Sequence, residues 1–200
     1  MQRKGSKWIG RACLAIALLA PNAIAQQSPR HGVAQALPSD GQHDFDWEIG
    51  VWRTELRRLA NPLSGSQEWL EYSGTSVVRK VMGGRANLVE LRVQGAAGQI
   101  EGLNLRLYNP QVRQWNLHYA SLRNGALTSP VHGGFRLGRG EFYGQEDLDG
   151  KAVLVRFVIT RIAADTARFE QAYSEDGGRS WEVNWIATDT RIGDVGQARP

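Results

Sequence analysis

Cysteine is almost missing from this chain: the single one among its 200 residues is Cys13, near the N-terminus. Long apolar runs are missing as well, because the stretch from Ala12 to Ala20 is well short of the ~20 residues that span a bilayer. We therefore expect neither a disulfide framework nor a membrane-spanning helix, so the fold must depend on its hydrophobic core. About 150 residues of patterned sequence are enough for one such core.

Catalytic sequence motifs are also missing. The chain contains none of the patterns H-E-x-x-H, C-x-x-C and G-x-S-x-G, and no phosphate-binding glycine loop that leads into a helix. Two carboxylate pairs, Glu141 with Glu170 and Glu68 with Glu71, can in principle share acid and base roles. Carboxylates on strands mostly face solvent, however, and we predict no catalytic residue and no metal ligand.

The N-terminal segment has the features of an export signal. Its basic residues Arg3, Lys4, Lys7 and Arg11 lead into a short apolar stretch, and Ala23-Ile24-Ala25 supplies the small residues that a signal peptidase needs. We predict a cleavable signal peptide over residues 1–25 and a bacterial protein exported to the periplasm or secreted. Four of the 24 basic residues and none of the 20 acidic ones lie in this segment, which leaves 20 of each in the mature chain. Such a neutral chain does not favour nucleic acid or a membrane as a partner.

Composition divides the remaining sequence into a leader, one domain and a tail. Residues 26–43 are rich in Gln, Ser, Pro and Gly without apolar periodicity, which predicts a flexible leader. His31 and His43 lie in or beside it, and isolated histidines in such a segment favour a solvated surface over a metal site. We assign residues 44–193 to a single domain and residues 194–200 to a disordered tail.

Within the domain, apolar and polar residues alternate over many short segments separated by turn-forming residues. For example, Val153, Val155, Phe157 and Ile159 share one face of a segment, and Leu103, Leu105 and Leu107 share one face of another. A period of two predicts half-buried antiparallel strands. Ten are favoured: 50–59, 67–79, 86–94, 99–109, 113–122, 131–137, 139–147, 151–161, 165–174 and 181–191.

Sequential antiparallel strands joined by tight turns predict an all-β fold, and closing them on themselves removes the exposed edges. We therefore predict an antiparallel up-and-down β-barrel, preceded by a short turn at residues 44–49. A barrel of eight strands is just wide enough for side chains or one small ligand, and additional strands widen it. Ten strands therefore predict an interior pocket.

The start of the first strand, Gly50-Val51-Trp52, follows a turn and resembles the G-x-W signature of the calycin barrels, the group that includes lipocalins, fatty-acid-binding proteins and nitrobindins. In lipocalins the tryptophan packs under an arginine of the last strand, and the resemblance gives those structural roles to Gly50, Trp52 and Arg191. The domain is also similar to an uncharacterised family of exported bacterial proteins regarded as calycin-like, through the segments around residues 141–144, 170–173 and 181–185. That resemblance implies a calycin-like fold, and it brings no assigned activity with it.

Nitrobindin-like barrels bind haem through a neutral histidine that lies late in the chain. Here the last two predicted strands contain no histidine. His118 alternates with Trp115, Leu117 and Tyr119, so it points outward if those residues are core, and His132 lies at a strand entry. We therefore expect no haem and no other cofactor.

Residues 174–181 match the Asp-box pattern S-x-D-x-G-x-x-W, which recurs once per blade in sialidase-type propellers. It occurs once in this chain. The serine and aspartate of such a box bond the loop backbone, and its glycine supplies a positive φ. We therefore predict that Ser174, Asp176, Gly178 and Trp181 stabilise a hairpin and carry no glycosidase chemistry.

A wide barrel without catalytic motifs favours a binding protein for a small, largely apolar molecule. We predict a pocket wall formed by Leu105, Phe157, Phe169 and Trp185, with Gln171, Tyr143 and Asn184 as the polar groups that orient the ligand. Because Asn184 and Trp185 alternate along the strand, both face the pocket only if a β-bulge intervenes.

Two other functions stay open. An enzyme would use a cavity carboxylate, such as Glu141 or Glu170, as an acid or base. A structural or interaction module would have a barrel filled by large side chains such as Trp52, Trp69 and Trp115. A buried carboxylate cluster would favour the enzyme, an apolar cavity the binding protein, and solid packing the module. The sequence leaves the oligomeric state open.

Overall fold

The computed structural model describes residues 40–197. These residues form β1 (Gly50–Leu59), β2 (Trp69–Val81), β3 (Ala86–Gly95), β4 (Gly98–Asn109), β5 (Gln114–Ser121), β6 (Ala126–Leu127), β7 (Val131–Arg136), β8 (Arg139–Leu148), β9 (Lys151–Ala163), β10 (Thr166–Ser174) and β11 (Glu182–Gly193), with short 3-10 turns at Asp46–Glu48, Met82–Gly84 and Val195–Gln197. The predicted signal peptide, almost all of the predicted leader and residues 198–200 lie outside the described residues. Within residues 40–197, no helix is long and apolar enough to cross a membrane.

The strands form one closed antiparallel sheet. Strands adjacent in the chain pair with each other except β6 and β7; β5 pairs with β7 instead, and β1 pairs with β11 to close the ring. Ten strands make up this ring, and the two-residue strand β6 is an extra strand that pairs with β5. The structure thus confirms the predicted up-and-down barrel of about ten strands.

Antiparallel pairing separates the connections into two groups, one at each end of the barrel. We call the end that contains the turn Asp46–Glu48 and the start of β1 the floor. The other end, which we call the mouth, carries the loops 60–68, 122–130 and 175–181.

One side of the barrel interior is filled. The inward side chains of β5, β7, β8 and β9 form a cluster that includes Trp115, Phe142, Val155 and Phe157. Phe45, which precedes the first turn, inserts into this cluster, and its ring lies 4.9 Å from the rings of Trp115 and Phe135. The aromatic packing therefore ties the residues just before β1 to the floor of the barrel.

Strand β4 presents the face opposite to the one predicted. Leu105 lies on the outer face, where it pairs with Leu88 and His118, whereas Asn104 and Arg106 point inward. The prediction assumed that the apolar face of the strand is the buried one. It fails because the interior beside β4 is polar, and Arg106 reaches inward to form an ion pair with Glu48.

Candidate ligand cavity

The floor is built around Trp52 and Arg191. The Trp52 indole is 1% exposed and donates a hydrogen bond to the carbonyl oxygen of Glu48 over 2.7 Å. The guanidinium carbon of Arg191 lies 4.3 Å from the centre of the Trp52 ring, within the distance of a cation–π contact. Arg191 also donates to the carbonyl oxygens of Ile49 at 2.8 Å and Trp47 at 2.5 Å, and so fixes the turn against the last strand.

Gly50 makes this arrangement possible. A Cβ atom at position 50 would lie 2.1 Å from Nη1 of Arg191, and the φ angle of Gly50 is +151°. A larger residue would therefore displace the guanidinium from Trp52 and Ile49. This close approach is the physical reason for a glycine at position 50 of this chain.

Above the floor, a cavity of about 1000 Å³ occupies the side of the barrel that the aromatic cluster leaves open. It extends from Trp52 to loop residues of the mouth, among them Asn61, Leu122 and Asn124. Its apolar wall includes Leu56, Leu91, Ile100, Phe157, Phe169, Trp185 and Ala187. The size and the aromatic lining are those of a small-molecule pocket.

An ion pair lies in the floor end of this cavity. Arg106 donates from Nη1 and Nη2 to the two carboxylate oxygens of Glu48, at 2.5 and 3.1 Å. Their side chains are 6% and 13% exposed, respectively. The two charges therefore neutralise each other, while the buried Nε of Arg106 has no hydrogen-bond partner among residues 40–197.

Asp189 lies in the same end of the cavity without a cation to balance it. Thr54 donates a hydrogen bond of 2.5 Å to its carboxylate, and the Thr54 and Ser76 hydroxyls are 2.7 Å apart. Because a hydroxyl has one hydrogen, Ser76 donates to Thr54 when Thr54 donates to an ionised Asp189. Burial raises the pKa of Asp189 to about 6, and the hydrogen bond from Thr54 opposes this shift. Among residues 40–197, no cationic side chain lies within ion-pair distance of Asp189.

Two further polar pairs line the half of the cavity nearer the mouth. Tyr173 donates to Glu146 over 2.9 Å, and burial raises the pKa of both groups. Gln171 donates to the Oδ1 of Asn184 over 2.9 Å. Asn184 is 2% exposed, and its Nδ2 has no partner among residues 40–197. Near the mouth, the cavity wall therefore offers the Nδ2 of Asn184 as a free hydrogen-bond donor beside apolar surface.

Five of the seven predicted pocket residues line the cavity: Phe157, Phe169, Gln171, Asn184 and Trp185. Asn184 and Trp185 both do so because the pairing of β10 with β11 shifts between Gln171 and Ala172, as a β-bulge does. Leu105 and Tyr143 lie on the outer face. Tyr143 is 45% exposed because it pairs with His132 and Arg156 on the solvent side of the sheet.

The carboxylates that sequence reasoning proposed as acids or bases point away from the cavity. Glu141 accepts hydrogen bonds from Arg139 and Tyr143, and Glu170 pairs with Arg168 on the outer face. The carboxylates that face the cavity are Glu48, Glu146 and Asp189 instead, while Glu101, which pairs with Arg92, and the turn residue Asp149 border its mouth. A signal for Asp189 was present, since it has the same strand parity as Trp185 and Ala187. For Glu48 and Arg106, no local pattern reveals a pairing across 58 residues.

The Asp-box residues form the loop between β10 and β11. Ser174 accepts a hydrogen bond from the backbone N–H of Gly178, and Asp176 accepts from the backbone N–H groups of Arg179 and Ser180. These hydrogen bonds hold the pKa of Asp176 well below its usual value. The Trp181 indole donates to the carbonyl oxygen of Gly178 and covers the loop.

The histidines of the barrel lie on its outside. His118 is on the outer face of β5, and His132 bonds the Oδ1 of Asn116 over 2.6 Å at an exposed position. In the described part of the chain, no group of three or more His, Cys, Asp or Glu residues is placed to hold a metal ion.

No protein-family model and no curated protein matches this chain. Among solved structures, the S-type phycobiliprotein lyase CPES from Guillardia theta is similar with a TM-score of 0.52 and 11% sequence identity, over 76% of this chain and 93% of the lyase chain. A de novo designed fluorescence-activating β-barrel gives a TM-score of 0.40 at 11% identity, over 74% of this chain and 95% of its own. A redesigned β-barrel gives 0.41 at 10% identity, over 75% and 96%. The likeness to the lyase supports a calycin-like fold for this closed ten-strand barrel, and the predicted membership of an exported bacterial family stays a prediction.

Proposed function

We propose that this protein is an exported binding protein that holds one small, largely apolar molecule in the barrel cavity. The observation that carries the proposal is the cavity itself, about 1000 Å³ in volume and reaching from the floor to the mouth. Burial of an apolar molecule there is favourable by roughly 25 cal/mol for each Å² removed from water. Export rests on the N-terminal sequence.

The wall supports a ligand with an apolar body and few polar atoms. Phe157 and Phe169 form an edge-to-face pair with ring centres 5.1 Å apart, and Trp185 lies on the neighbouring strand. The free donor of Asn184 is the group that would orient a ligand oxygen. An aromatic wall beside a polar group that orients the ligand is typical of small-molecule pockets.

A titration with Nile red, a neutral apolar fluorophore, tests the proposal. We expect saturable binding of one molecule per chain to the native protein. Leu91→Trp should abolish most of this binding because Leu91 lines the cavity beside Gly102. Leu105→Trp is the matched control, since the same change on the outer face of the next strand leaves the cavity volume intact.

The proposal fails if the native protein takes up no Nile red, or if both tryptophan variants reduce binding equally. Native mass spectrometry of protein purified from the periplasm gives a second measurement. A co-purifying small molecule that denaturing extraction releases would support the proposal, and its absence from Leu91→Trp would assign it to the cavity. Recovery of the protein in the cytoplasm with residues 1–25 attached would contradict export.

A second candidate function is an enzyme that uses Asp189 as an acid or base. The observation that favours it is the unpaired carboxylate in the cavity, because perturbed carboxylates in clefts are frequent at catalytic sites. Asp189→Asn would then abolish turnover of a bound substrate without reducing its affinity. A binding protein would instead return every extracted ligand chemically unchanged.

A further inference from the structure

The floor end of the cavity has an excess of negative charge. Glu48 and Arg106 satisfy each other through two hydrogen bonds, so Asp189 is the charge that remains there. Arg191 lies two residues further along β11, but its guanidinium is engaged with Trp52 and with backbone carbonyls of the turn. An anionic ligand group would therefore meet Asp189 and Glu48 without a free cation to pair with.

Neutral and polar neighbours complete the surroundings of Asp189. Thr54 of β1 and Ala167 of β10 pair with it in register, and Ser76 of β2 contacts Thr54. The titratable or charged groups that face it across the cavity are Glu48 and Arg106. The other cationic side chains of the wall are Arg58 and Arg123, toward the mouth; Arg168 borders the cavity, but its side chain pairs with Glu170 on the outer face.

We propose that the ligand carries a protonated nitrogen and that this nitrogen pairs with the Asp189 carboxylate at the floor of the cavity. The inference rests on the proposed function and narrows its ligand to an amphipathic cation, with an apolar body against Phe169 and Trp185. A buried carboxylate without a counter-charge is costly even with the hydrogen bond from Thr54, and a ligand cation lowers that cost.

Three dansyl probes test the charge of the ligand: dansylcadaverine is a cation, N-pentyl dansylamide, called dansylamide below, has the same five-carbon chain without the amine and is neutral, and dansylglycine is an anion. At pH 8 we expect the affinity for dansylcadaverine to be about tenfold or more above that for dansylamide, with dansylglycine weakest. The affinity for the cation should fall about tenfold from pH 8 to pH 5, because a carboxyl with a pKa of about 6 is then roughly one-tenth ionised.

Asp189→Asn identifies the partner of the cation. We expect this variant to lose both the preference for dansylcadaverine and its pH dependence, while it binds dansylamide as tightly as the wild type does. Glu141→Gln is the control, because this carboxylate lies on the outer face and should change none of the three affinities.

If the wild type binds dansylamide and dansylcadaverine equally, or if the preference survives Asp189→Asn, the inference is wrong while the proposed function stands. If no probe binds, the proposed function and the inference fail together.

Discussion

Gly50 shapes the barrel floor because it has no Cβ atom, which leaves room for the Arg191 guanidinium. Gly50→Ala should lower the free energy of unfolding by about 2–4 kcal/mol, from backbone strain together with weakened hydrogen bonds of Arg191. Urea unfolding measures the change. Gly65→Ala is the control: its φ is +79°, but a Cβ there meets no atom within 4 Å, so about 1 kcal/mol of backbone strain is expected. Equal losses in the two variants would contradict the role of the Arg191 contact.

Asp189 should make the unliganded protein less stable as the pH rises. Its pKa is raised from 3.8 to about 6 in the folded chain, so between these values the folded state keeps a proton that the unfolded state has released. The stability contribution is full below pH 3.8 and is lost as the pH rises through 6. The total is on the order of 3 kcal/mol at about 1.4 kcal/mol for each unit of pKa.

Asp189→Asn resembles the protonated form and tests this dependence. Urea unfolding at pH 4, 5, 6 and 7 should show the variant gaining stability over the wild type as the pH rises. A constant difference would show that Asp189 is ionised in the folded protein throughout. The same substitution is expected to weaken binding of a cation, so stability and binding change in opposite directions.

The Asp-box loop connects β10 and β11, and the Asp176 carboxylate holds it by accepting hydrogen bonds from loop amides. Asp176→Ala should lower the Tm and speed hydrogen exchange of the Arg179 and Ser180 amides, which lose their acceptor. Asp147→Ala is the matched control, because Asp147 accepts a single bond from the Gly150 amide in the neighbouring hairpin. The pKa of Asp176 is depressed, so the wild-type advantage should be full above pH 3.8 and decline as the pH falls. Unchanged exchange at both amides would refute the assignment.

Strand positions were predictable because alternation and turn residues are local properties. The predicted segment 67–79 is found as Trp69–Val81, and the segment 151–161 as Lys151–Ala163. Which face of a strand points inward depends on contacts with residues far away in the chain, so it is not a local property. For β9 the apolar face is the inner one, whereas β4 turns Leu105 outward because Arg106 pairs with Glu48 inside.

Different sides of the barrel interior contribute to stability and to binding. Phe45 and the aromatic cluster fill one side of the interior, and the cavity occupies the other. Phe45→Ala should therefore lower the free energy of unfolding by about 3–5 kcal/mol, as expected for removal of a buried aromatic ring. The Nile red affinity of the folded fraction should stay within about twofold of the wild type, since Phe45 does not line the cavity. A large loss of Nile red affinity in fully folded Phe45→Ala protein would show that the packed side and the cavity side of the interior are coupled.

The sequence by itself determined the all-β class, the ten strands of the barrel and the positions of its turns, because each depends on neighbouring residues. It also indicated four residues of the cavity wall, Phe157, Phe169, Gln171 and Trp185, through strand parity. Only the tertiary structure decided that Asn184 and Trp185 share that wall, that Leu105 and Tyr143 leave it, and that Asp189 lies unpaired at its floor. Bulges, register and ion pairs arise between strands far apart in the chain, and no period within a strand encodes them.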